Sequence, residues 1–157
     1  MKSQLPTGLA RDTLIFAVLT EIGIIAQLSR AILEHATPEG VSGAGFGVLN
    51  HLARLPGDWS PARLAGAFQV TRGAMTNTLQ RLEAEGLVRV GADPADGRAK
   101  HVTLTRKGLK ARDATLQTLT PAMVRVAGAL PGPMPGELLA ALATLRAVMD
   151  ADRDPTD

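Results

Sequence analysis

Residues 60–88 read SPARLAGAFQVTRGAMTNTLQRLEAEGLV. Ser60 followed by Pro61 predicts a sharp helix start, because a hydroxyl side chain caps the first free amides and proline fits the first helical position. Thr71 can cap a second helix in the same way, and Gly86 is typical of a helix end. The stretch therefore predicts a short helix, a turn of three or four residues, and a longer helix.

The longer helix, from about Arg72 to Glu85, is predicted to have one apolar and one polar side. The residues at helical spacing that are expected to face the core are Ala74, Met75, Thr78, Leu79 and Leu82. Arginine, asparagine and glutamine bind base edges in the major groove, and threonine can contact a thymine methyl group or a phosphate. A glycine near the helix start lets backbone amides approach a phosphate. The residues of the polar side, predicted here to contact duplex DNA, are Arg72, Gly73, Thr76, Asn77, Gln80 and Arg81. A solvated helix surface is the alternative.

A two-stranded ribbon is predicted directly after this helix. Leu87–Val90 and Lys100–Leu104 alternate between apolar and polar residues, with a turn-rich tip between them. Arg98 at the tip is predicted to reach a neighbouring minor groove, and Asp96 either orients Arg98 or forms the turn. Lys100 is a further candidate for DNA contact. An ordinary exposed hairpin with a local ion pair is the alternative.

The flanks of the chain are predicted to be helical. The first helix starts at Asp12 or Thr13 and is apolar on more than one side, so it must be buried on more than one side. Thr105 caps a long helix that Pro121 should kink or split, and Pro135 begins the last helix. The expected fold is mainly α with a small two-stranded β wing.

Charge and composition narrow the functional classes. Residues 60–112 contain ten basic and four acidic residues, a net charge of +6, whereas the remainder carries −4. A basic middle between acidic ends suggests a polyanionic partner, and a solvated basic face is the alternative. The absence of cysteine excludes disulfides, thiol redox sensing and cysteine-based zinc sites, and it suits the reducing cytoplasm, the expected location.

Neither a membrane anchor nor an enzyme is expected. The apolar segment Leu14–Leu28 is short for a membrane span, carries Glu21, and continues as a helix to about His35. The three histidines show no metal-binding spacing, and nucleophile, phosphate-loop and dinucleotide motifs are missing, so no cofactor or metal is expected. His51 and Arg54 are candidates for lining an effector pocket, although a polar helix flank is the favoured interpretation.

Residues 46–110 resemble the MarR family of winged helix-turn-helix regulators. The most specific part is the wing motif Asp-x-Arg followed by Leu-Thr-x-x-Gly. The matching stretches are FGVLNHLARL at 46–55, SPARLA at 60–65, VTRGAMTNTLQRLEAEGLV at 70–88, DPADGR at 93–98 and LTRKG at 104–108. Gln69 departs from the pattern, because the family often has glycine in this turn. The backbone there must avoid or tolerate a positive φ.

The resemblance implies a winged helix-turn-helix DNA-binding region at 41–105 and a helical dimerisation region made of 1–40 and 106–157. It implies a homodimer that binds a pseudo-palindromic operator in double-stranded DNA. It also implies a repressor that a small, often aromatic, effector releases from DNA. A winged-helix module that binds another protein is the alternative, but a polar and basic recognition surface argues against it.

Overall fold

The computed structural model describes residues 10–55, 57–92 and 100–152 of the 157-residue chain. Within these ranges the chain forms six helices and one two-stranded antiparallel sheet. The elements are α1 (Arg11–Ala36), α2 (Gly43–Arg54), α3 (Pro61–Phe68), α4 (Arg72–Ala84), β1 (Val88–Ala92), β2 (Lys100–Leu104), α5 (Arg106–Ala129) and α6 (Met134–Ala151). The predicted fold class, mainly helical with a small β wing, is confirmed.

The structure divides into two compact units between Thr118 and Leu119. The first unit contains every element from α1 to β2 and the first half of α5, and the second contains the rest of α5 with α6. The boundaries predicted for the dimerisation and DNA-binding regions, 1–40 with 106–157 and 41–105, are functional boundaries and stay a prediction.

The core of the first unit lies among α2, α3, α4 and the two strands. Leu49, Leu64, Leu82 and Val102 are fully buried. α2 and α4 approach each other closely at Gly45, where an added Cβ would lie 3.1 Å from the Leu82 side chain. Aliphatic side chains thus supply most of this core, as expected for a chain with 3% aromatic residues.

The wing, defined as β1 and β2, pairs Val88 with Leu104 and Ala92 with Lys100 at its two ends. Val88 and Val102 are buried on the face that packs on the core, whereas Arg89 is exposed. This alternation follows from the two-residue period of a strand. The predicted ribbon is confirmed, with β1 starting one residue later than the sequence pattern indicated and ending two residues later.

The Leu-Thr-x-x-Gly motif joins the wing to α5. The Thr105 hydroxyl donates to the carbonyl oxygens of Gly86 and Leu87 at 2.8 and 3.0 Å, and it accepts the Gly108 amide at 3.0 Å. Gly108 is buried against the Leu87 backbone, so close that an added Cβ would lie 2.0 Å from the Leu87 oxygen. Only glycine permits this approach, and the motif therefore fixes the start of α5 against the start of the wing.

Pro121 lies inside α5 and does not end it. Proline removes one amide donor and crowds the preceding turn, which is why a kink or a split was expected. The residues on both sides of Pro121 are helical, and α5 runs through 24 residues without a break. Pro121 therefore does not split α5, and the alternative outcome, a kink, stays a prediction.

The helix α1 leaves most of its apolar side chains uncovered in the single chain. Phe16 is 74% exposed and Leu28 is 61% exposed. By length and composition alone, Thr13–Ala36 could cross a membrane, and none of its apolar window is buried. The helix α6 has the same character, with Leu139 71% exposed. Exposed apolar side chains in this number are typical of a surface that contacts another molecule.

Candidate nucleic-acid interface

The turn between α3 and α4 is built by two capping side chains and one unusual backbone conformation. Ser60 accepts a hydrogen bond from the Arg63 amide and Thr71 accepts one from the Ala74 amide, both at 3.2 Å. Gln69 adopts the left-handed conformation, with φ 54° and ψ 42°. The backbone thus tolerates the positive φ that the family pattern assigns to glycine, and the two helices are joined by three residues.

The helix α4 has the two sides that the sequence predicted. Met75, Leu79 and Leu82 are 2 to 3% exposed and attach α4 to the core. Thr78, also expected to face inward, is half-buried. Ala74 was expected to face inward as well, but it is exposed, because it lies in the first turn of α4, beyond the edge of the buried stripe. The exposed residues that we call the polar face of α4 are Arg72, Gly73, Thr76, Asn77, Gln80 and Arg81.

The polar face offers several free hydrogen-bonding groups. The Thr76 hydroxyl donates to the Arg72 carbonyl at 2.8 Å, which leaves its oxygen as an acceptor. Asn77, Gln80 and Arg81 border one shallow surface depression on α4. Arginine can form a bidentate pair with guanine, and asparagine or glutamine can do so with adenine. The arrangement can therefore read base edges if a major groove covers it.

A second depression, a groove of about 190 Å³, lies between α4 and the wing. It brings Thr76 and Gln80 of the polar face together with Lys100, which is exposed at the start of β2. Lys100 thus joins the sequence-predicted residues of α4 at one surface. Glu83 lines the same groove and was not among the predicted site residues.

Solved structures of other proteins share this architecture. Residues 39–99 match the model of the MarR family. A Cys-to-Ser mutant of MarR from E. coli, solved with operator DNA, aligns with a TM-score of 0.72 and 24% identity over 87% of this chain and 99% of that one. The regulator BldR from Sulfolobus solfataricus gives a TM-score of 0.70 and 24% identity over 88% and 99%.

The described helix-turn-helix and strands thus resemble a MarR-family winged helix. PcaV from Streptomyces coelicolor, solved with its natural ligand, also shares the fold, with a TM-score of 0.66 and 18% identity over 96% of this chain and 99% of that chain. Within this winged helix, α4 is the second helix of the helix-turn-helix, and β1 with β2 forms the wing.

Two residues of the wing that were predicted to contact DNA, Asp96 and Arg98, lie outside the described residues. The structure describes the two strands that lead to them, and each strand forms a hydrogen bond along its outer edge with a residue outside the sheet. Glu83 Oε1 accepts the Val90 amide at 2.7 Å, and the Trp59 carbonyl accepts the Val102 amide at 2.7 Å. Sequence patterns did not indicate the roles of Glu83 and Trp59, because neither belongs to an apolar repeat or a charge cluster.

Several cations of the basic segment interact with other residues of the chain. Arg112 donates to Asn50 Oδ1 at 3.1 Å and to Asp113 Oδ1 at 2.9 Å, and Lys107 donates to the Glu85 carbonyl at 2.6 Å. Arg63 lies 5.1 Å from the Trp59 ring centroid and also donates to the Asp58 carbonyl. These interactions occupy donor groups of the three side chains and make them less available to a partner, and the Asp113 carboxylate also offsets the charge of Arg112. Arg72, Arg81 and Lys100 remain exposed on the polar face and the groove.

The two effector candidates occupy different environments. The His51 ring forms an edge contact with Trp59, with centroids 4.3 Å apart, and a tilted contact with Phe68 at 5.3 Å. Its Nε2 atom is buried and has no hydrogen-bond partner in the described part of the chain. Burial lowers the pKa of His51 from its usual 6.5, which favours the neutral ring. Arg54 is exposed at the end of α2.

The described residues contain no cluster of side chains that could bind a metal ion. Groups of three or more histidine, cysteine, aspartate or glutamate side chains able to hold a metal ion do not occur among those residues. The surface that the structure assembles is instead a set of amide, hydroxyl and cationic groups on one helix and one strand, which is typical of a binding interface.

Proposed function

We propose that this chain is a sequence-specific, duplex-DNA-binding transcriptional regulator that acts as a homodimer in the cytoplasm. The observation that carries the proposal is the polar face of α4, which is exposed while the opposite side of the helix is fixed in the core. A B-DNA major groove is wide enough for one helix presented in this way. The operator complex of the E. coli relative, which has the same fold, supports the proposal.

The homodimer accounts for the uncovered apolar side chains. α1 and α6 expose leucine, isoleucine, valine and phenylalanine side chains that a second copy would cover. A two-fold dimer presents two copies of α4 to half-sites about one duplex turn apart, roughly 10 bp from centre to centre. This arrangement requires an operator with inverted repeats.

We propose further that the protein represses transcription and releases DNA when a small aromatic molecule binds. The solved complex of PcaV with its natural ligand supports a ligand-responsive regulator. His51, with its unpartnered Nε2 atom beside two aromatic rings, is the candidate for contact with such a molecule, and Arg54 is the second candidate.

Fluorescence anisotropy with the duplex upstream of the gene that encodes this chain tests DNA binding. We expect affinity to fall by roughly 10³- to 10⁵-fold between about 50 and 200 mM salt, because neutralised phosphates release counterions. Gln80→Ala should weaken binding to this duplex about tenfold while binding to random duplex changes little. Gln117→Ala, an exposed glutamine on α5, is the matched control and should have no effect. Salt-independent binding, or equal effects of both variants, would contradict the proposal.

Sedimentation velocity tests the dimer. Phe16→Glu places a charge on a side chain that is 74% exposed in the single chain, so the fold of the chain should tolerate it. A dimer that buries Phe16 should dissociate, because an unpaired buried charge is strongly destabilising. A chain that ends at Pro135 should also sediment as a monomer. Stable dimers of both proteins would refute the assignment of α1 and α6 to the dimer interface.

A further inference from the structure

The two outer edges of the wing are bonded by different parts of the helix-turn-helix. Val90 and Val102 are opposite each other in the register, and the Val102 amide donates to Trp59 instead of to β1. In an antiparallel pair of this kind both amides point away from the partner strand. The Val90 amide therefore points outward from β1, where the Glu83 carboxylate accepts it at 2.7 Å.

Glu83 lies on α4 one turn after Gln80 and lines the groove that also contains Thr76 and Lys100. The hydrogen bond from Val90 is thus a direct link between the helix proposed to read bases and the strand that leads to the wing tip. On the other edge, the Trp59 carbonyl ties β2 to the residue before the cap of α3.

The charge of Glu83 is unfavourable for a surface that binds a polyanion. Its carboxylate is exposed beside the polar face, and the ion pair found among the described residues, Arg112 with Asp113, is elsewhere. A negative charge within a Debye length of phosphates weakens association. If the hydrogen bond from Val90 to the Glu83 carboxylate positions the wing for DNA binding, this gain in affinity would offset the electrostatic repulsion.

We propose that Glu83 is a positioning residue that holds β1 against α4, and thereby sets the wing at a fixed distance from the polar face when the protein binds duplex DNA. The proposal rests on the proposed DNA-binding function. It assigns a favourable effect on affinity to an acidic side chain at the DNA-binding surface, which charge alone would not predict.

Two variants with the same charge separate the positioning role from electrostatics. Glu83→Gln removes the charge but keeps an amide oxygen that can accept the Val90 amide, whereas Glu83→Ala removes both. If the charge alone mattered, both variants would bind DNA about two- to fivefold more tightly than the wild type. If Glu83 positions the wing, the alanine variant should bind at least about fivefold more weakly than the glutamine variant.

The experiment uses the full-length dimer and a duplex that the wild-type protein selects from a random-sequence library. Anisotropy titrations give the affinities, and amide hydrogen exchange at Val90 in the free protein reports the contact itself. We expect faster Val90 exchange and weaker binding in Glu83→Ala, and rescue of both in Glu83→Gln.

Equal affinities of the two variants, or Val90 exchange that neither variant alters, would overturn the proposal. Failure of the wild type to select any duplex would instead refute the proposed DNA-binding function, and with it the effect of Glu83 on affinity. The exchange data would still show whether Glu83 bonds to Val90, so the two failures are distinguishable.

Discussion

Replacing Gly108 with alanine should be one of the most damaging single-methyl additions in this chain. Gly108 lies in the first turn of α5, where its Cα faces the backbone of the residue that precedes β1. The added Cβ would lie 2.0 Å from the Leu87 oxygen, 3.0 Å from the Leu87 carbonyl carbon and 2.8 Å from Leu104 Cδ1. Cβ atoms in proteins essentially never approach other atoms closer than 3.0 Å, so α5 and the wing must separate by about 1 Å.

The cost follows from what this separation breaks. Thr105 bonds to Leu87 through its amide at 3.1 Å and its hydroxyl at 3.0 Å, and the hydroxyl also caps the Gly108 amide. Weakening these bonds costs about 0.5 to 1 kcal/mol each, and overpacking adds about 1 to 3 kcal/mol. Alanine regains up to about 1 kcal/mol of helix propensity. We expect Gly108→Ala to lower the free energy of unfolding by about 2 to 4 kcal/mol.

Urea denaturation followed by circular dichroism, at equal protein concentrations, measures this difference. Gly128→Ala on the same helix is the matched control, because an added Cβ there meets no atom within 4 Å. It should stabilise the protein by about 0.5 to 1 kcal/mol through helix propensity alone. Gly108→Ala with a stability within about 0.5 kcal/mol of the wild type would show that α5 and the wing are not in the contact described.

Three further changes test the local structure. Because burial lowers the pKa of His51 in the folded state, the unfolded chain binds more protons than the folded chain below about pH 6.5. The free energy of unfolding should therefore fall from pH 7 toward pH 5. Denaturation curves measured at each pH should show a weaker pH dependence for His51→Phe. Gln69→Gly should raise thermal stability by up to about 1 kcal/mol by relieving the positive φ, whereas a destabilised variant would contradict the left-handed conformation. Ser60→Ala should lower the unfolding free energy by about 1 kcal/mol through loss of the α3 cap, and an unchanged denaturation midpoint would argue against that cap.

Local rules predicted the parts of the fold that depend on nearby residues. The caps Ser60 and Thr71 located the starts of α3 and α4 to the residue, because side-chain capping is a contact over three positions. The spacing of Met75, Leu79 and Leu82 similarly assigned the buried side of α4 and, by difference, its polar face. The aliphatic composition was sufficient to predict a mainly helical chain.

Contacts between distant parts of the chain could not be predicted in the same way. The hydrogen bond between Glu83 and Val90 depends on the angle at which the wing packs on α4. The need for glycine at position 108 is evident only once the Leu87 backbone lies beside it. The family motif marked Gly108 as significant without giving the reason. At Pro121 the local rule allowed a kink or a split, and α5 continues through this residue without a split.

The central claim is that the polar face of α4 reads base edges in duplex DNA, and selection from a random-sequence duplex library tests it most directly. We predict that the wild-type dimer enriches an inverted repeat with half-site centres about 10 bp apart. Asn77→Ala should change the preferred bases within each half-site while keeping the spacing. A library that shows no enrichment, or an identical motif for wild type and variant, would contradict the claim.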